Sequence, residues 1–151
     1  MHVAHYLGLL HRAEANLADA FREVAQAHAE EVDVFHLCHK LARQSQAHAE
    51  ALAPFVERYG EKAPDEPDKL HSTLFGGTRK GGLGLLRDLH DLYLMAAETD
   101  VAWTLIGQAA KGLRDDQLQA VVDACDHQTA TQLQWIKTRM KEAAPQALVV
   151  A

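Results

Sequence analysis

What the sequence has little of narrows it first. Two cysteines, Cys38 and Cys125, in 151 residues cannot build the disulfide framework of a small secreted scaffold. Both fall on helical apolar stripes, where a thiol acts as a small buried hydrophobe. There is no surplus of positive charge. A formal net charge of -6 argues against a nucleic-acid partner, which would need a basic face to replace phosphate counterions, and gives no reason to expect an acidic membrane surface. No apolar run approaches the length needed to span a bilayer. The start, MHVAHYLGLLHRAEA, lacks a basic region and its apolar part is broken by His5 and His11, so no signal peptide is expected and the cytoplasm is the expected address. Nothing places Ser, His and Asp, or Cys and His, together as a nucleophilic constellation.

What is present is ordinary globular composition, with 48% hydrophobic and 24% charged residues, enough for one sizeable core. One domain over residues 1–151 is the expectation at this length. Ten histidines make metal binding a question to be asked.

The apolar pattern is helical throughout. The first seam reads Val3, Leu7, Leu10, Glu14, Leu17, Phe21, Val24, His28, in alternating steps of four and three. Glu14 is its one carboxylate, and His28 is expected at the helix end near water. After the short polar link AEEVD the seam resumes as Val34, Cys38, Leu41, Ser45, His48, Leu52, Phe55, Tyr59. So short a link makes the two helices antiparallel. Asp33 or Glu30–Glu31 suits the positive end of the second helix dipole, and Pro54 predicts a kink, or an ending and restart, near Ala53. A third helix from Gly84 to about Gly112 carries Leu85, Leu89, Leu92, Ala96, Thr99, Trp103, Ile106, Ala110 and Leu113. A second stripe, Leu94, Glu98, Val101, Leu105, lies on roughly its opposite side. A helix apolar on two faces is central or covered by a partner, so a homodimer through this face, or through the apolar tail QALVVA, is expected. The fourth helix has Asp115 as N-cap and the seam Leu118, Val122, Cys125, Thr129, Leu133 with Gln132 beside it, Ile136, Met140, Ala143, ending at Pro145.

The stretch 60–82, GEKAPDEPDKLHSTLFGGTRKGG, is too long for a tight turn and long enough to run back along a bundle. A short helix over Pro67–Phe75, with Leu70, Leu74 and Phe75 covering the core, is predicted within it. Its GGTRKGG end precedes a helix N-terminus, where an anion can bind, but lacks the Gly-Lys-Ser/Thr ending of a P-loop and reads rather as a flexible basic loop. His36 and His39 share a helix face while Cys38 points to the seam, so the HLCH stretch reads as surface histidines. His127 faces away from the seam and can pair with Asp123. Trp103 and Trp135 read as core or interface.

The polar exceptions on the four seams coincide in height. Glu14 is fourteen residues before His28, Ser45 and His48 are twelve and fifteen after Asp33, Thr99 is fifteen after Gly84 and Thr129 is fourteen before Ala143. At ~1.5 Å per residue each lies about 20 Å from one end of an all-α bundle running up, down, down, up, so they meet in one layer. On these residues, over nearly its whole length, the chain resembles the ferritin-like superfamily. That family places Glu, Glu-x-x-His, Glu and Glu-x-x-His on its four helices to hold two metal ions. Glu14 and His48 match two ligand positions. Ser45, Thr99, Thr129 and Gln132 stand where the family has other ligands, with Glu98 and Asp100 one position to either side of Thr99.

The resemblance therefore implies a ferritin-like four-helix bundle with a long crossover between its second and third helices and a degenerate di-metal site. Serine, threonine and glutamine are poor ligands for iron or manganese. Glu14 and His48, with Ser45, Thr99, Thr129 and Gln132 around them, read as a buried hydrogen-bonded pair in a non-catalytic binding or structural module, with no cofactor. The alternative is a metal-binding redox or iron-handling protein using Glu14 and His48, with His11 one turn away, or Glu98, as second-choice ligands and iron or manganese as the metal. Classical iron storage ranks behind both.

Overall fold

A computed structural model describes residues 1–60, 70, 71 and 73–150. The chain forms α1 (Val3–Ala27), α2 (Val32–Gly60), α3 (Gly81–Leu113) and α4 (Asp116–Pro145), followed by a π-helical turn, Gln146–Val150. No strand occurs among the described residues. The four helices pack as an all-α bundle, α1 against α2 and α3, and α4 against α3 and α2.

The seams are what the bundle buries. Leu7, Leu10, Leu17, Phe21 and Val24 of α1, Val34, Cys38 and Leu52 of α2, Leu89, Leu92, Trp103 and Ile106 of α3, and Leu118 and Ile136 of α4 are essentially inaccessible. The apolar core falls into two clusters. One gathers Leu17, Phe21, Val34, Leu89 and Ile136, and the other Leu7, Leu10, Leu52, Trp103 and Leu118. Glu14, Ser45, His48, Thr99, Thr129 and Gln132, all buried, belong to neither cluster. At full burial each large aliphatic side chain contributes about 1.5–3 kcal/mol, so these two clusters supply most of the drive to fold. Helices α3 and α4 approach closely at Gly107, where an added Cβ would stand 3.1 Å from Val122 Cγ1.

Ion pairs tie the helix ends together. Asp115 caps α4 by accepting from the Leu118 amide at 3.0 Å, and also accepts from Tyr59 Oη and Arg58 at the end of α2. Arg139, near the end of α4, reaches Asp33 and Glu31 at the start of α2. At a third junction His28, following α1, donates to Asp88 near the start of α3 at 2.8 Å.

Several local expectations are corrected. Helix α2 runs unbroken through Pro54 rather than ending and restarting near Ala53. Pro54 and Glu50, whose carbonyl loses its partner to the ring, are both exposed, so the lost bond falls on the solvent side of the helix. His28 is buried rather than near water, because Asp88 draws it inward. The GGTRKGG loop is not a free basic loop. The Arg79 amide and guanidinium both bond Asp88, and the guanidinium also bonds Asp91, so the anion at this helix start is the protein's own. Gly84 permits the contact, since a Cβ there would lie 3.0 Å from Arg79 backbone and side-chain carbon. Pro67, Asp68, Lys69 and Ser72 of the expected short helix lie outside the described residues, while the described residues between Leu70 and Phe75 are irregular. Leu70 and Phe75 pack on the core, whereas Leu74 is exposed. Of the described tail residues only Ala147 is buried, and Leu148, Val149 and Val150 stay exposed. Asp123 accepts from Gln119 rather than pairing with His127.

Candidate functional site

The centre of the bundle holds Glu14 and His48 in contact. Both sit at inward positions of long helices, so neither can turn to water without unwinding a turn. His48 donates from Nδ1 to Glu14 Oε2 at 2.8 Å and from Nε2 to Gln128 Oε1 at 2.7 Å. Two acceptors, one on each nitrogen, select the doubly protonated imidazolium. Burial opposes the charged ring, but the Glu14 hydrogen bond, the Glu14 charge and the Gln128 oxygen together outweigh it and raise the His48 pKa. The pair is a buried, charge-assisted hydrogen bond between α1 and α2, extended to α4.

The other polar residues of the interior are engaged mainly with protein. Thr99 Oγ1 donates to the Ala96 carbonyl and Thr129 Oγ1 to the Cys125 carbonyl, the back-bonding that lets a hydroxyl sit inside a helix. Gln132 Nε2 donates to Ser45 Oγ and Gln44 Oε1, both at 3.3 Å. The buried position on α4 is thus Gln132, with Leu133 only half-buried. Trp103 stands edge-on to His48, with ring centroids 6.0 Å apart. Three polar atoms here find no partner in the protein: Glu14 Oε1, Gln132 Oε1 and Trp103 Nε1.

The second-choice residues lie apart from this pair. His11 is half-buried and forms no hydrogen bond with Glu14 or His48. Glu98 lines a cavity of about 320 Å³ between α1, α3 and the segment holding His71 and Phe75, with Arg12 and Asn16. Burial raises its pKa, partly offset by His71. Among the described residues no group of three His, Cys, Asp or Glu side chains is close enough to share an ion. The donor set does not fit a ferritin-type metal pair. It offers one carboxylate, one imidazole with both nitrogens committed, and hydroxyls and amides already in protein hydrogen bonds.

Cys38 and Cys125 are free and buried. Burial pushes each thiol up to about 12, helped by the Asp33 charge at Cys38 and the Glu14 charge at Cys125. His36 and His39 meet the Phe35 ring edge-on. Trp103 is fully buried and Trp135 packs against the core.

Two features were missed in the sequence. Gln128 precedes Thr129 and lies beside the seam, and only the question of what accepts from the second His48 nitrogen would have singled it out. Asp88 and Asp91 follow Leu85 at helical spacing on the inward side of α3, a signal that two acids there need a cation. Arg79 is that cation.

No family model, curated protein or solved structure matches the chain. No helix among the described residues is long and apolar enough to cross a membrane.

Proposed function

We propose that the chain is a ferritin-like bundle that has kept its polar layer as structure and acts as a non-catalytic binding or structural module through an outer surface. The up-down-down-up order is supported by the junctions at the helix ends. The end of α1 meets the start of α3, the end of α2 meets the start of α4, and the end of α4 meets the start of α2. On that order the connection from Gly60 to Gly81 is a crossover running the length of the bundle.

The observation that carries the non-catalytic reading is the commitment of both His48 nitrogens to protein acceptors. An imidazolium has no lone pair to offer a metal. A charge pair of this kind must be matched on both sides to be tolerated in a core, and here Glu14 and Gln128 match it. The surface most suited to binding is the outer face of α3, where Leu94, Val101 and Leu105 are exposed.

The alternative, a redox or iron-handling site at Glu14 and His48, draws on one observation, the unpartnered Glu14 Oε1. Metal analysis of the untagged protein decides between the two. Well under one equivalent of iron or manganese is expected. Stoichiometric metal that disappears in Glu14→Ala overturns the non-catalytic reading.

A further inference from the structure

Helices α3 and α4 are joined by Arg114 and Asp115 alone, so they run antiparallel and side by side. The start of α3 therefore lies beside the end of α4, and between them the outer side of the bundle holds a groove of about 450 Å³. Leu83 and Leu86 of α3, Met140 and Ala144 of α4 and Leu148 of the π-helical turn give it an apolar lining. Leu83 is 61% exposed and Leu148 65%, so this lining is open to water. The titratable side chains around it are Arg87, His90, Lys137 and Lys141. No carboxylate is among the described residues that line it, in a chain whose net charge is -6. Asp91 answers Arg87 at 2.9 Å. The Lys137 ammonium stands over the Tyr93 ring, 6.0 Å from its centre, and neither it nor Lys141 has a carboxylate partner among the described residues.

The groove is graded from one end to the other. Gly107 against Val122 and Lys137 against Tyr93 set the register of the two helices. That register puts Leu83 and Leu86 level with Leu148 and Ala144, and His90 level with Lys137 and Met140, with Arg87 and Lys141 between. One end is thus wholly apolar and the other carries the donors. An apolar body with a single anionic head matches both the gradient and the sign of the charge. The occupant is also narrow. Packed helix axes lie about 8–10 Å apart, so the trough between their outer faces suits one extended chain, whereas a helix is itself about 10–12 Å across. The volume falls within the range of small-molecule sites, about 300–1,000 Å³. A bilayer surface does not enter a concave trough, and an anionic one repels a chain of this charge.

We infer that this groove binds a fatty acid, with the alkyl chain against Leu83, Leu86, Ala144 and Leu148 and the carboxylate held by Lys137, Lys141 and His90. This rests on the reading of the chain as a binding module acting through an outer surface, and names its ligand. Burial of the alkyl chain supplies the affinity, and the basic end supplies the orientation and the preference for an anion.

Calorimetric titration of dodecanoate, kept below its micelle-forming concentration, into the full chain tests this. One saturable site per chain is expected. Dodecyltrimethylammonium, with the same alkyl chain and the opposite charge, is expected to bind about tenfold more weakly or worse. Lys137→Glu with Lys141→Glu, both at exposed positions, is expected to leave the circular dichroism melt in place, weaken dodecanoate about tenfold and abolish the preference between the two heads. Lys137→Gln with Lys141→Gln, which removes the charge without reversing it, gives a smaller loss in the same direction. Leu83→Asp, at the apolar end, weakens both amphiphiles. A stearate carrying a nitroxide near its methyl end is expected to broaden the amide resonances of Leu83 and Leu148 more than those of His90 and Lys137. The inference is overturned by an absence of saturable binding, by equal affinity for the two amphiphiles, by dodecanoate binding indifferent to the lysine pair, or by broadening centred on His90. A chain that ignores monomeric dodecanoate and instead sediments with phosphatidylglycerol vesicles overturns it too. None of these outcomes bears on metal content, so the non-catalytic reading stands or falls separately.

Discussion

Replacing Glu14 by leucine removes the one charge that holds His48 in the core. His48 is then left with Gln128 alone, and an imidazolium with no counter-charge in an apolar interior sheds its proton. Breaking one partner of a buried ion pair costs about 3–5 kcal/mol, and deprotonation of the ring brings the expected loss to the lower end, about 3 kcal/mol. For a chain of this size that is a fall of about 9 °C in the thermal midpoint. Glu14→Gln keeps an acceptor for His48 Nδ1–H and is expected to lose about 1–2 kcal/mol. The double change Glu14→Leu with His48→Leu removes both polar groups and is expected to be closer to wild type than Glu14→Leu alone, because no charge is left unmatched. The pH dependence follows from the raised His48 pKa. Below the ordinary histidine value of 6.5 the ring is protonated in both folded and unfolded chains and the contribution of the pair is complete. As pH rises from there through the raised folded value, the folded chain holds a proton that the unfolded chain has released, and the contribution is lost. Urea unfolding of wild type, Glu14→Leu, Glu14→Gln, His48→Leu and the double variant at pH 6 and pH 9 measures all of this. The network is refuted if Glu14→Leu proves more stable than Glu14→Gln, if the double cycle shows no coupling, or if wild type and His48→Leu share one pH profile.

Two more expectations follow from other parts of the bundle. Asp88→Ala strands buried His28 and releases the Arg79 loop, so a loss of about 3 kcal/mol is expected, with trypsin cutting after Arg79 or Lys80 much faster than in wild type; an unchanged digestion pattern would show that Asp88 does not hold the loop. Cys38 and Cys125, with thiols raised to about 12, are expected to react with an aromatic disulfide reagent at pH 8 only as fast as the chain unfolds, and rapid modification of either in native buffer would contradict their burial.

The parts of the molecule that were legible in the sequence are those set by helical period. Alternating steps of four and three placed Leu7 to Val24, Val34 to Leu52 and Leu85 to Ile106 on inward faces, because side chains recurring about once per turn must lie on one stripe whatever the stripe packs against. Asp115 was legible as a cap because capping is local, a carboxylate reaching an amide three residues on. The polar exceptions were legible too, since each breaks its own seam. Their partners were not. Thr99 and Thr129 turn to carbonyls of their own helices instead of to Glu14 and His48, a choice made by rotamer and not by position. Gln128 lies one residue off the seam, and whether it reaches His48 depends on the rotation of α4 about its axis, which no pattern within α4 specifies.

The sequence by itself thus determined four amphipathic helices, their approximate limits and which side chains face inward, since these depend on spacing along one chain. Only the tertiary structure decided which inward polar groups bond each other, that Pro54 leaves α2 unbroken, and that Arg79 answers Asp88 and Asp91. The contacts that give His48 its charge join residues 34 and 80 apart in sequence. Their geometry is fixed by how whole helices settle against one another, and a polar contact made 1 Å too long would have left the same seams with a different chemistry at their centre.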